Sequence, residues 1–130
     1  MNNPTNLKYS DTDEWLLIDG KVATIGISDY AQRHLSDIVY VEFKVDVGDE
    51  VPKDSIVVTL DSAKATADVN LAVSGKVIAV HTDLPDIMEC INTDPYGEGW
   101  MLKIQLTNPD ELNRLMDATA YDEYCQKRSH

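Results

Sequence analysis

Residues 55–73 read SIVVTLDSAKATADVNLAV, and the fold turns on how this stretch doubles back. Ile56, Val58 and Leu60 share one face of an extended segment, and Ala67, Val69 and Leu71 share one face of a second. That period of two is the pattern of half-buried β-strands. The connection is Asp61-Ser62-Ala63-Lys64, so two strands joined by a tight turn place Lys64 near the apex. Lys64 is the only basic residue between Asp54 and Gly75. A lysine at a hairpin tip is ordinarily a solvated surface charge. Here Ala63 and Ala65 leave the amine sterically open, and a tight turn projects its four-carbon stem from the body. An amine presented that way suits enzymatic acylation, and tethering raises the local concentration of whatever is attached at each docked partner.

Outward from the hairpin the chain continues as strands. EWLLIDGKVATIGI, residues 14–27, holds two apolar runs around Asp19-Gly20, a pair favoured in two-residue hairpin turns. Behind Ser28, a helix cap, Tyr30, Ala31, His34 and Leu35 recur at helical spacing. In DIVYVEF, residues 37–43, alternation returns with Val39, Val41 and Phe43 on one face, and Gly48-Asp49 supplies a turn. VSGKVIAV opens another strand at Gly75, and VGDEV (47–51) and VSGKV (73–77) form a faint echo, as in a sandwich of two similar halves. Residues 84–100 hold one short helix with Ile87, Met88 and Ile91 inward, followed by a strand alternating Trp100, Leu102 and Ile104. Asn108 caps a helix with Pro109 at its first position and Glu111 three residues on, carrying Leu112, Leu115 and Met116. Tyr121, Tyr124 and Cys125 mark a final short helix. No low-complexity linker intervenes. The reading is one domain over 1–130, mostly β with peripheral short helices. Its core runs roughly from 15 to 106 and a C-terminal helical segment roughly from 109 to 127.

With 43% hydrophobic and 26% charged residues in a chain of 130, the composition is that of a globular domain with a real core. Lys and Arg total 11 against 23 Asp and Glu, a net charge of −12. Such a surface repels phosphate backbones and anionic lipid, which argues against nucleic acid and membrane partners. It either keeps the protein soluble or steers it onto basic faces of protein partners. Cys90 and Cys125 show neither a disulfide framework nor metal spacing, so both are expected as thiols, Cys90 in the core. The first ten residues, MNNPTNLKYS, have neither a signal-peptide nor a transit-peptide layout, and no apolar run reaches membrane-spanning length. The expected location is the cytoplasm, or the mitochondrial matrix for a processed eukaryotic form.

Catalytic constellations are absent from the pattern. His34, His81 and His130 are scattered and share no ligand spacing with the cysteines, so no metal site is expected. PYGEGW, residues 95–100, has two glycines but no following Lys-Ser/Thr, and Glu98 would repel phosphate. Ser62 and Ser74 lack a nucleophile-elbow context, and Asp46 with Asp49 reads as a solvated loop.

Taken together, LKYSDTDEWL (7–16), VATIGISDYAQRHLSDIVYVE (22–42), LDSAKATADVNLAVSGKV (60–77) and INTDPYGEGWMLKIQLTNPDELNRLM (91–116) resemble the glycine cleavage system H protein family of lipoyl carriers. The resemblance spans nearly the whole chain. It implies a flattened β-sandwich of the barrel-sandwich hybrid type, with lipoate joined by an amide bond to Lys64 at the hairpin tip. Biotin carriers typically flank their lysine with methionine, where this chain has Ala63 and Ala65. Lipoyl domains of oxo-acid dehydrogenases usually place an acid and Asp directly before it, where this chain has Asp61-Ser62-Ala63. Those four residues (Asp61, Ser62, Ala63, Ala65) are then recognition context for a lipoate ligase or octanoyltransferase. The resemblance further implies a non-catalytic carrier of an aminomethyl group. Its partners would be a pyridoxal-phosphate glycine decarboxylase, a tetrahydrofolate-dependent aminomethyltransferase and an FAD-containing dihydrolipoyl dehydrogenase. In the family the loaded arm folds into a surface cleft, for which matching motifs nominate Glu14 and Asp68 as carboxylates and Leu35 as an apolar wall.

Departures from the family pattern fall at Asp13, where histidine is common, and at Ser36, where glycine is. Others fall near Lys44, where a proline is common, at Val73 in place of proline and at His81 in place of asparagine. Losing prolines and a glycine lowers loop rigidity. Two other functions use the same chain: a relay donating lipoate or octanoate to other lipoyl domains, and an unmodified acidic interaction module.

Overall fold

The computed structural model describes residues 3–128, so His130 lies outside the described residues. The described residues form nine strands: β1 (Lys8–Tyr9), β2 (Glu14–Asp19), β3 (Val22–Ile27), β4 (Ile38–Phe43), β5 (Glu50–Val51), β6 (Ile56–Ser62), β7 (Thr66–Asn70), β8 (Gly75–Val80) and β9 (Leu102–Leu106). They form two antiparallel sheets, one of six strands in the order β1-β2-β3-β9-β8-β5 and one of three in the order β4-β6-β7. Around them lie helices α1 (Asp29–Leu35), α2 (Glu89–Thr93) and α3 (Ala118–Arg128). Leu16, Ile25, Leu60, Val69, Leu102 and Ile104, drawn from both sheets, belong to one buried cluster. Each such side chain contributes about 2 kcal/mol by leaving water. A second cluster, Tyr9, Trp15, Tyr30, Tyr121 and Cys125, seats α3 against the start of the chain, with the Tyr9 and Tyr121 rings stacked at 4.6 Å. The mostly-β two-sheet architecture with a C-terminal helix is the one the sequence led us to expect.

Local chemistry explains where the elements begin and end. Asp19 pairs with Val22, so the β2–β3 turn falls on Gly20-Lys21, one residue later than the sequence reading placed it. Gly20 sits at φ +62°, a left-handed conformation that costs glycine nothing sterically. Across the same hairpin Trp15 faces Gly26, where a Cβ would lie 2.7 Å from the indole nitrogen. The indole N–H donates to the Pro95 carbonyl at 2.9 Å, which fastens the PYGEGW turn to β2. Ser28 caps α1 as expected, its hydroxyl accepting the Ala31 N–H at 3.2 Å. The echoing segments pair with each other through β5 and β8, Glu50 opposite Lys76 and Val51 opposite Gly75.

Four expectations need correction. A register shift between Ile38 and Tyr40 turns Val39 outward, 55% exposed, and buries Ile38 in its place, while Val41 is buried as expected. A second shift between Ile56 and Val58 leaves Ile56 46% exposed while Val57 and Val58 are both buried. Bulges reset the two-residue period that the sequence reading assumed to be unbroken. Asn108 makes no capping bond, and the Glu111 carboxylate accepts the Ser74 N–H at 2.7 Å and hydroxyl at 3.0 Å. Residues 109–114 accordingly wind as a 3-10 helix rather than a capped α-helix. Cys90 is only half-buried, packed against the main core, whereas Cys125 is fully buried in the second cluster, and no disulfide forms among the described residues. No described helix is long and apolar enough to cross a membrane, and the described residues hold no group of three or more His, Cys, Asp or Glu able to hold a metal ion.

Ser36 closes α1 at φ +61° and ψ −152°, a region essentially reserved for glycine. Relief of that strain outweighs the extra unfolded-state entropy of glycine. Ser36→Gly should therefore raise stability by about 1 kcal/mol, read as a higher urea midpoint at unchanged slope.

Candidate functional site

Lys64 occupies the middle of a three-residue loop, Ala63-Lys64-Ala65, between β6 and β7. Four contacts give this loop one shape. The Ser62 hydroxyl accepts the N–H groups of Lys64 at 3.1 Å and Ala65 at 2.8 Å, and donates to the Ala65 carbonyl at 2.8 Å. The Ser62 N–H reaches the same carbonyl at 2.8 Å. Below the loop, Thr66 donates to Asp61 at 2.9 Å, and the Ala63 N–H bonds the Asp37 carbonyl at 3.0 Å. Ser62 and Asp61 thus shape the turn, a role that the sequence reading did not assign to them. Lys64 and both flanking alanines are exposed.

The stem of the same hairpin walls a cleft of about 330 Å³. Leu60, Ala67 and Val69 give its apolar side, and Glu14, Leu35 and Asp68 all line it. The structure therefore brings the three cleft candidates together, with Lys64 at the tip above rather than in the lining. Asp68 is exposed and accepts Thr59 at 3.4 Å, while Leu35 is buried at the end of α1.

Glu14 is not a surface acid: only 1% of it is exposed. Its Oε1 accepts the Ser10 hydroxyl at 2.6 Å and the Thr12 hydroxyl, and its Oε2 accepts the Asn70 N–H at 3.3 Å. Burial pushes its carboxyl up to about 7, because desolvation penalises the charged form more than these donors and the Asn70 N–H favour it. Ser10, Thr12 and Asn70 went unnoticed in the sequence, although hydroxyls two and four residues before a buried acid are a signal that could have found the first two. Arg128 and Asp13 also line the cleft and were likewise missed as lining residues. They are remote in sequence, and only folding shows that they meet.

Glu14 ionises first in the unfolded chain, at its ordinary value of 4.5, and only near 7 in the folded one. Stability is therefore lost as pH rises through that window, by about 3 kcal/mol. Urea titrations from pH 4 to 8 should show this slope in the wild type and its loss in Glu14→Gln.

Comparison with known proteins gives a consistent set of relatives. The family model described as Glycine cleavage H-protein matches residues 7–128. The glycine cleavage system H protein of Methylacidiphilum infernorum (isolate V4) is 47% identical over 98% of this chain and 99% of its own length. The mitochondrial glycine cleavage system H protein 2 of Arabidopsis thaliana is 43% identical over 94% of this chain and 78% of its own. Among solved structures, a glycine cleavage system H protein from Mycobacterium marinum superposes with a TM-score of 0.83 at 28% identity, covering 98% of this chain and 99% of that one.

Proposed function

As the chain belongs to the glycine cleavage H-protein family, we propose that it carries lipoate on Lys64 and moves the aminomethyl group of glycine between enzymes of that system. The partners on this reading are glycine decarboxylase with pyridoxal phosphate, a tetrahydrofolate-dependent aminomethyltransferase and FAD-containing dihydrolipoyl dehydrogenase. A lipoate ligase or octanoyltransferase attaches the cofactor, in bacterial cytoplasm or the mitochondrial matrix. The observation that carries the reading is an exposed lysine on a hydrogen-bonded loop at the tip of the hairpin whose stem walls a cleft with apolar sides and three carboxyl groups, Asp13, Glu14 and Asp68. When bound, the dithiolane of lipoate supplies the sulfur that takes up the aminomethyl group and the redox chemistry that follows.

The chain's own residues present, seat and shelter. Ser62 fixes the loop so that the lysine stem leaves the surface in one direction, with little backbone entropy left to lose when an enzyme engages it. Leu35, Leu60 and Val69 offer an apolar wall to a hydrocarbon arm. Glu14 and Asp68 offer negative charge to a cationic amine. Because Glu14 is largely neutral below about 7, seating a cation expels its proton to solvent, and the paired charges are then sheltered from water. The chain itself catalyses no step.

Expression with lipoate and its ligase should add one lipoyl mass to Lys64, and Lys64→Arg should abolish the addition. The modified protein should support glycine–bicarbonate exchange with the decarboxylase. Modification without exchange overturns the glycine role and leaves the relay to other lipoyl domains, read by lipoyl transfer onto a dehydrogenase domain. Exchange by the unmodified protein overturns the carrier reading outright.

Docking of the loaded arm should weaken as pH falls from 8 to 6, since Glu14 must lose its proton to pair. Without partner enzymes, the lifetime of the aminomethyl group on the wild type relative to Glu14→Gln should fall several-fold across that range.

A further inference from the structure

Asp13 and Arg128 stand together at the edge of the cleft, and the chemistry above uses neither. Arg128 ends α3 and grips Asp13 with both guanidinium nitrogens, Nη1 reaching Oδ2 at 3.3 Å and Nη2 bonding Oδ1. Its guanidinium lies over the Tyr30 ring at 4.4 Å and the Tyr124 ring at 4.1 Å, a geometry that holds the cation in place. Asp13 also accepts the Tyr121 hydroxyl at 2.8 Å, and that hydroxyl is 2.6 Å from the Ser28 hydroxyl that caps α1. The pair thus ties the last turn of α3 to the first turn of α1 and to the residue immediately before Glu14. Both members line the cleft with Glu14.

Position alone would make this a structural latch. Charge makes it more. The titratable and charged groups lining the cleft with Glu14 are Asp13 beside it, Asp68 from β7, His34 and Tyr30 from α1, and Arg128 from α3. The negative charge of Asp13 is one of the forces raising the Glu14 carboxyl. Arg128 offsets most of that charge at its source, so while the pair is intact Asp13 adds only the smallest of the effects on Glu14, and Glu14 and Asp68 supply most of the cleft's negative field.

We propose that Asp13–Arg128 is a balanced charge pair that sets the cleft's selectivity for a cationic arm, with Arg128 as a positioning residue for Glu14. The proposal deepens the carrier reading. An uncompensated Asp13 would hold Glu14 protonated to higher pH and strengthen the pull on a cation. An uncompensated Arg128 would do the reverse on both counts. A latch without an electrostatic role makes a different prediction: breaking it from either side loosens α3, wets Glu14 and moves its titration down in both cases.

The test is a carbon-detected NMR titration of the Glu14 carboxyl in the unlipoylated protein. The series is the wild type, Arg128→Gln, Asp13→Asn and the double variant. Asparagine tolerates the positive φ of 76° at position 13. Arg128→Gln should raise the midpoint by about half a unit and Asp13→Asn should lower it by about as much, while the double variant returns near the wild type. Arg128→Lys, which keeps the charge but loses the fork, should stay close to the wild type. Downward movement in both single variants, or no movement in either, overturns the proposal, and amide exchange in α3 shows whether a loosened helix is the cause. In the lipoylated, aminomethyl-loaded protein at pH 8, where Glu14 is mostly ionised in every variant, the group should persist longer in Arg128→Gln and shorter in Asp13→Asn. Opposite titration shifts with unchanged lifetimes leave the charge pair standing and count against the arm-docking role of the cleft.

Discussion

The structure depends on how one carboxyl group is kept under the surface. Glu14 opens β2 in the six-stranded sheet, yet its Oε2 accepts the N–H of Asn70, the last residue of β7 in the three-stranded sheet. Its other oxygen gathers the hydroxyls of Ser10 and Thr12 from the turn before β2. A buried carboxyl without donors would cost several kcal/mol, so each of these donors is held to its place by the need to satisfy it. The consequence reaches the hairpin, because β7 descends directly from the Lys64 loop. One polar cluster joins the two sheets beside the cleft.

Much of this was legible in the sequence, and the reasons for the rest are physical. The tight turn that carries Lys64, the Ser28 cap and the existence of the β2–β3 hairpin are decided by neighbours a few residues apart, and there local pattern suffices. Val39 and Ile56 were misplaced because a bulge changes the side-chain face without changing composition. The expected capping box at Asn108 lost to Ser74, which offers Glu111 two donors from across the fold. Glu14 could be nominated by motif, but its burial could not, and the Asp13–Arg128 contact joins residues 115 positions apart. Contacts of that range have no local trace.

Departures from the family pattern become intelligible one by one. Lys44, near which the resemblance puts a proline, donates its N–H to the Val57 carbonyl at 2.8 Å just beyond the end of β4, a bond that a proline at that position would forfeit. Val73 is fully buried in the main core. His81 lies flat on Trp100 at 4.3 Å and within 2.6 Å of its carbonyl through Nδ1, so the ring takes over the local packing. Ser36 alone keeps a conformation suited to the absent glycine. Among these positions only Asp13 lines the cleft, and it arrives with its own counter-ion from α3.

A carrier that relied on an exposed acid would gain little from it, since surface ion pairs in water contribute about 0–1 kcal/mol and are screened by salt. A permanently ionised buried acid would hold a cation far better, but the empty protein would bear the desolvation of that charge at all times. A buried carboxyl that titrates near 7 avoids both difficulties. On the proposed reading it is neutral in about half of the molecules near pH 7 when no cation is present and would become fully charged as one arrives, so part of the desolvation would be offset by pairing at the moment it is incurred. On that reading the same logic would limit how tightly an arm is held, because part of the pairing energy is spent removing the proton. For a group that must be sheltered in transit and surrendered on arrival, a cleft of moderate and pH-dependent grip serves better than a tight one.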